Sequence, residues 1–246
     1  MPKRLKIVRI RTVFILSTPA LLFILGLSLL PIMGGVFFSF SNYNLFRPAD
    51  RHWIGYDNYA SIIFFDAEYH RALINSFSYT GLVVALSYAI GMLFAILLNQ
   101  DIKFKAIFRA LALVPWVLPP AVAGVNWAWV LHDQFGYLNM LLKRIGLITK
   151  SISFLGTPQL ARITVVLAGS WKCYPFMMIL ILAGMQAIPK ELYEVADIDG
   201  AGFIKRFFWI TLPMLRPVSF LGILVMFIWS FNNFENIYLL TRGGSC

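Results

Sequence analysis

Residues 13–40, 72–98, 110–130, 163–187 and 217–240 are five long apolar runs, and they constrain the fold more than any other feature of the chain. A bilayer core of about 30 Å is crossed by about 20 helical residues rising about 1.5 Å each, so each run is long enough to span. Lipid offers no water to unpaired backbone groups, which makes helices the expected form; the period-two alternation of a transmembrane barrel is missing. Composition agrees: 59% of the residues are hydrophobic and 13% charged, where a soluble domain carries roughly 25% charged residues. The expectation is an all-α, polytopic membrane protein with 1–246 as a single transmembrane domain. The first run follows Lys3, Arg4, Lys6, Arg9 and Arg11. It exceeds the ~7–15 apolar residues of a signal peptide and so reads as an uncleaved anchor, with bends expected at Pro19 and Pro31.

Basic residues are retained on the cytoplasmic side of a membrane. Segments 1–12, 99–109 and 188–216 hold 12 Lys and Arg in 52 residues, against 8 in the 69 residues of 41–71, 131–162 and 241–246. The first set is therefore expected inside, with the amino terminus cytoplasmic and Cys246 outside. The net charge of +10 is distributed between spans, which sets topology and does not suit a nucleic-acid face.

Segment 188–216 is the most informative of the inner loops. Pro189 suits a first helical turn and Lys190 to Asp199 has helix-forming content, after which Gly200 supplies a left-handed stop. A second short helix is expected from Phe203 to Trp209, ahead of Pro213. Helix, glycine corner, helix makes a compact knob. Leu192, Tyr193, Val195 and Ala196 give it more apolar surface than a solvated loop needs, which suits a partner; packing on the chain's own inner surface is the alternative.

The spacing Glu194-Val195-Ala196, Gly200, then Ile210-Thr211-Leu212-Pro213 resembles the EAA loop of permease subunits of binding-protein-dependent ABC importers, with Val195 in place of the usual alanine. Residues 53–59 (WIGYDNY), 135–139 (FGYLN) and 182–189 (LAGMQAIP) resemble the carbohydrate-uptake branch, which includes maltose-type and glycerol-3-phosphate-type permeases. The resemblance implies a type I importer (MetI-like) permease fold in the cytoplasmic membrane. It further implies translocation of a sugar or sugar-like solute with a second permease subunit, an extracytoplasmic binding protein and two ATPase subunits. Glu194, Ala196, Asp199, Gly200, Ala201, Ile210, Leu212 and Pro213 would then couple the chain to an ATPase. ATP and Mg would reside on those partners and no cofactor in this chain, which lacks the Gly-x-x-x-x-Gly-Lys phosphate loop. Family members continue past Thr241 through an outer loop and one more span. That predicts a missing final helix, exposure of Glu235 and Asn236, and transport that is poor or absent; the alternative to a working permease is a truncated, non-transporting remnant that still inserts.

Inside the runs, Lys172 lies near mid-depth, where an unpaired charge costs at least about 2.5–3.5 kcal/mol. It is expected either to line the solute path or to pair structurally, for example with Glu235. Asn126, Trp171, Tyr174, Asn232 and Asn233 are further candidates for the path, since amides bind hydroxyls and aromatic faces accept a sugar ring; helix-to-helix bonding is the alternative for each. His52, His70 and His132 lack metal-ligand spacing, and neither a Gly-x-Ser-x-Gly elbow nor a Cys-x-x-Cys motif occurs. An intramembrane enzyme would need a paired acid, base or nucleophile at mid-depth, and Cys173 reads as a small buried apolar residue. The chain is thus expected to be a non-catalytic subunit.

Overall fold

The computed structural model describes residues 2–242; Cys246 and the glycines at 243 and 244 lie outside the described residues. Contacts within the chain divide it into two compact units, one ending at Ala72 and one beginning at Leu73.

The first unit opens with helix α1 (Pro2–Ile24), a π-helical stretch Leu25–Leu29 and α2 (Leu30–Ser39). Thr12–Ser39 forms one 28-residue apolar helix with no part of it buried inside the protein, as a lipid-facing span requires. The helix runs on through Pro19 and Pro31, and the local adjustment falls between them in the π turn. Two short antiparallel strands follow, β1 (Ser41–Asn42) and β2 (His52–Trp53), then α3 (Asp57–Ala60). The aromatic sequence 53–59 supplies their packing: Phe40 stacks on Trp53 at 5.5 Å and meets Tyr56 and Tyr59 edge-on or tilted at 5.3 Å. Asn58 Nδ2 donates to the carbonyls of Ser39 and Ser41, tying the segment to the end of α2.

The second unit is built around two long helices, α4 (Ala67–Asn99), whose residues up to Ala72 belong to the first unit, and α8 (Pro158–Gln186). Between them lie α5 (Lys105–Val117), α6 (Pro120–Val130) and α7 (Tyr137–Arg144). After α8 come α9 (Lys190–Ile198), α10 (Phe203–Arg206), a π turn at Phe207–Thr211, α11 (Leu212–Met214), α12 (Arg216–Phe231) and α13 (Phe234–Thr241). Met92, Ala95, Met177, Met178, Ile181, Leu215 and Met226 form the main core. Small residues let the helices approach, as expected where lipid supplies no hydrophobic drive between them. A Cβ at Gly91 of α4 would sit 2.7 Å from Met177 Cβ and 2.9 Å from the Met178 amide of α8. Gly91→Val is therefore expected to cost about 1–3 kcal/mol through overpacking and to lower the melting midpoint in detergent. Gly81→Val, with nothing within 4 Å of its Cβ position, should leave the midpoint nearly unchanged.

Two of the five apolar runs are not single straight helices. Run 110–130 breaks at Leu118–Pro119, and the helices on either side are bent by 94°. Pro119 and Pro120 have no N–H to continue the ladder, so the chain leaves the helix there. Run 217–240 is divided at Asn232–Asn233. Asn232 Nδ2 donates to Ile228 O at 2.8 Å to close α12, and Asn233 Oδ1 accepts from the Asn236 amide at 3.3 Å to open α13. A further bend of 65° separates Phe203–Met214 from α12.

Candidate functional site

The loop 188–216 folds as helix, corner, helix for reasons readable residue by residue. Pro189 caps α9, and the helix ends in a Schellman arrangement: the Ala201 amide donates to Ala196 O at 2.8 Å and the Gly200 amide to Asp197 O at 3.1 Å. Gly200 holds φ at +68°, where a side chain is disfavoured. Gly202 then starts α10. Two side-chain contacts lock the second arm on the first. Tyr193 Oη meets Thr211 Oγ1 at 2.9 Å, and Arg206 forms an ion pair with Asp197. Neither pair was singled out from sequence, although Asp197 and Arg206 carry opposite charges on either side of the glycine corner, which is a usable signal.

Burial sorts the eight residues of the EAA resemblance into two groups. Glu194, Asp199 and Gly200 are exposed and free to meet a partner, whereas Ala196 is buried and Ala201 half-buried against the loop itself. Ile210, Leu212 and Pro213 are half-buried, and Ile210 and Leu212 pack on the main core. The loop thus has a rooted base and an exposed crown. On the first arm the crown carries Val195 and Ile198, exposed by 58 and 87%, and the second arm exposes Phe208 and Trp209 by 58 and 82%. An apolar crown on a polar, rooted knob is suited to insertion into another protein. A cavity of about 230 Å³ is lined by Tyr193, Phe203, Arg206 and Phe207 of the loop together with Asn99 and Gln100.

The interior candidates fall into distinct places. Lys172 Nζ donates to Leu118 O at 2.5 Å and to Pro115 O at 3.3 Å, so its partners are backbone carbonyls at the α5–α6 break and not Glu235, which is exposed. Trp171 meets Trp127 of α6 edge-on at 5.6 Å, next to the exposed Asn126. Tyr174 turns inward: it is buried, stacks on Phe94 at 5.2 Å and donates to Ala112 O at 3.1 Å. With Phe94, Leu98 and Leu111 it lines a cavity of about 470 Å³. Asn232 is exposed and Asn233 half-buried, with their amides engaged at the α12–α13 break. Asn236 is buried, contrary to the expected exposure. Its amide is the one capped by Asn233.

An aromatic set was missed in the sequence. Phe176 contacts Trp229 of α12 at 4.9 Å and Trp116 of α5 at 6.2 Å, and both tryptophans remain about half exposed. Phe176 lies one helical turn from Lys172 on the same face of α8. In a chain with 16% aromatic residues these rings had no distinguishing spacing. Among the described residues, no group of three His, Cys, Asp or Glu could hold a metal ion.

Residues 87–244 match the family described as binding-protein-dependent transport system inner membrane component. The chain is 34% identical to the trehalose/maltose transport system permease protein MalF of Thermococcus litoralis, over 94% of this chain and 77% of that one. It is also 34% identical to the sulfoquinovosyl glycerol transport system permease protein SmoG of Agrobacterium fabrum, over 94% and 74%. Its fold is shared with a chain of a bacterial ABC transporter involved in the import of alginate, with a TM-score of 0.79 and 24% identity over 100% of this chain and 82% of the other. These relatives favour a working permease subunit over a non-transporting remnant or an intramembrane enzyme. The chain belongs to the binding-protein-dependent transport system inner membrane components, as a non-catalytic, multi-helix permease subunit.

Proposed function

We propose that the chain carries a sugar or sugar-like solute inward across the cytoplasmic membrane, together with a second permease subunit, and that loop 188–216 transmits the drive from two ATPase subunits. ATP and Mg belong to those ATPases in this reading. The amino terminus and the loop face the cytoplasm, while 41–71 and the far end of the chain face the binding protein. The single observation that carries the coupling is the rooted knob with an exposed apolar crown at Val195 and Ile198. A moving partner can shift membrane helices only through a rigid element that it grips, and the Tyr193–Thr211 and Asp197–Arg206 contacts supply that rigidity. The sugar assignment rests on relatives named for trehalose/maltose and sulfoquinovosyl glycerol transport.

The test is ATP-dependent uptake of labelled trehalose, maltose and related glycosides into vesicles holding the full set of subunits and binding protein. Uptake that requires this chain supports the reading; uptake unaffected by its omission removes it. Orientation has a separate measurement. A cysteine at the exposed position Glu191, in a background lacking Cys173 and Cys246, is expected to react with an impermeant maleimide only after the membrane is opened. Reaction in sealed cells would invert the topology.

A further inference from the structure

We infer that Lys172 is a positioning residue that supplies donors to two backbone carbonyls left open where the helix breaks at Pro119-Pro120, and thereby fixes the angle between α5 and α6. In an unbroken helix the carbonyl of Pro115 would accept from the amide of residue 119, and that of Leu118 from the amide of residue 122. Residue 119 is proline and has no N–H, and the 94° turn carries residue 122 away from Leu118. Both carbonyls would be left without donors at membrane depth, where water is scarce. They are the two carbonyls that Lys172 Nζ contacts, at 3.3 and 2.5 Å.

The fit is reciprocal. Lys172 is the middle residue of Pro158–Gln186, far from either end, and has no carboxylate among its contacts. The carbonyl end of α5 carries partial negative charge, which stabilises the ammonium that satisfies it. Neighbouring side chains of α8 hold the rest of the joint. Tyr174 donates to Ala112 O of α5, and Trp171 packs edge-on against Trp127 of α6. Residues 171, 172 and 174 of one helix therefore grip both arms of the break. The arm so held carries Asn126 and Trp127, so a change in the angle would move the polar and aromatic side chains of α6 without any change in their chemistry.

This inference rests on the permease reading only for its uptake measurement. The experiment compares Lys172→Met and Lys172→Arg, each in the native background and in one carrying Pro119→Ala and Pro120→Ala. Hydrogen exchange over 112–124 and the melting midpoint of the purified protein are read alongside uptake by the complete transporter. Lys172→Met is expected to lower the maximal uptake rate about tenfold with less than about a twofold change in KM, and to speed exchange at the break. Arginine, which also donates to carbonyls, should retain most of the rate. In the alanine background residue 119 regains the amide that donates to Pro115 O and the chain can continue as helix so that residue 122 serves Leu118 O, so Lys172→Met should add less than about a twofold further loss.

A rise in KM with unchanged exchange, or an equal loss from Lys172→Met in both backgrounds, would make Lys172 a solute contact and overturn the inference. Where Lys172→Met accumulates too poorly to assay, recovery of folded protein by the two alanines supports the inference, and no recovery defeats it. If uptake proves independent of this chain altogether, the permease reading fails, while exchange and melting still decide the role of Lys172.

Discussion

Gly200→Val is expected to separate the chain from its ATPase while leaving it folded in the membrane. The residue sits at φ +68° in the corner between α9 and α10, and a Cβ there would meet nothing within 4 Å. Crowding is thus not the obstacle. The cost is the backbone conformation itself, about 1–2 kcal/mol for an ordinary side chain and more for a branched one. The corner can avoid that cost by unwinding, since it is exposed and its backbone bonds run from Gly200 and Ala201 back to Asp197 and Ala196. Unwinding would disturb the Asp197–Arg206 and Tyr193–Thr211 contacts that join the arms and tilt the crown. Co-purification with the ATPase should fall about tenfold, which corresponds to about 1.4 kcal/mol in binding. Gly200→Asn is the matched control, because asparagine tolerates the left-handed region. Equal co-purification of the valine and native forms would withdraw the coupling role from the loop.

That corner is the part of the site most legible in the sequence. Its backbone bonds join residues no more than five apart, and Pro189, Gly200 and the helix-forming residues between them act locally. The long apolar runs were legible for a similar reason, since bilayer thickness fixes their length. The break in run 110–130 was available in Pro119-Pro120 but was masked by hydropathy, which counts apolar side chains and ignores missing amides. The break at Asn232–Asn233 is less visible, because asparagines inside a span suit solute contact as well as capping. The partners of Lys172 could not be read at all. They are backbone carbonyls of residues 115 and 118, more than fifty positions away, and a carbonyl leaves no trace in residue identity. The natural guess, the acidic Glu235, follows charge complementarity where the fold uses helix-end chemistry instead.

The crown of the loop should be the most sensitive surface on the chain. Ile198 is 87% exposed at the last turn of α9, and no contact within the loop explains a large apolar side chain held out there. Docked in a partner's cleft, such a side chain is worth about 1.5–3 kcal/mol by burial. Ile198→Asp loses that contribution and must also desolvate a carboxylate if the interface is to close. Co-purification with the ATPase and ATP-dependent uptake are both expected to fall by roughly 30-fold or more, about 2 kcal/mol at 1.4 kcal/mol per tenfold. The protein itself should melt as before, because Ile198 contributes little to its own core. Two controls fix the interpretation. Ile198→Leu keeps the apolar volume and should retain coupling. Leu147→Asp makes the same change at a residue 69% exposed outside the loop and should leave ATPase association intact. Should Ile198→Asp co-purify as well as the native chain, the exposed crown has no role in gripping the ATPase. The coupling contact would then have to be sought among the polar exposed residues Glu194 and Asp199.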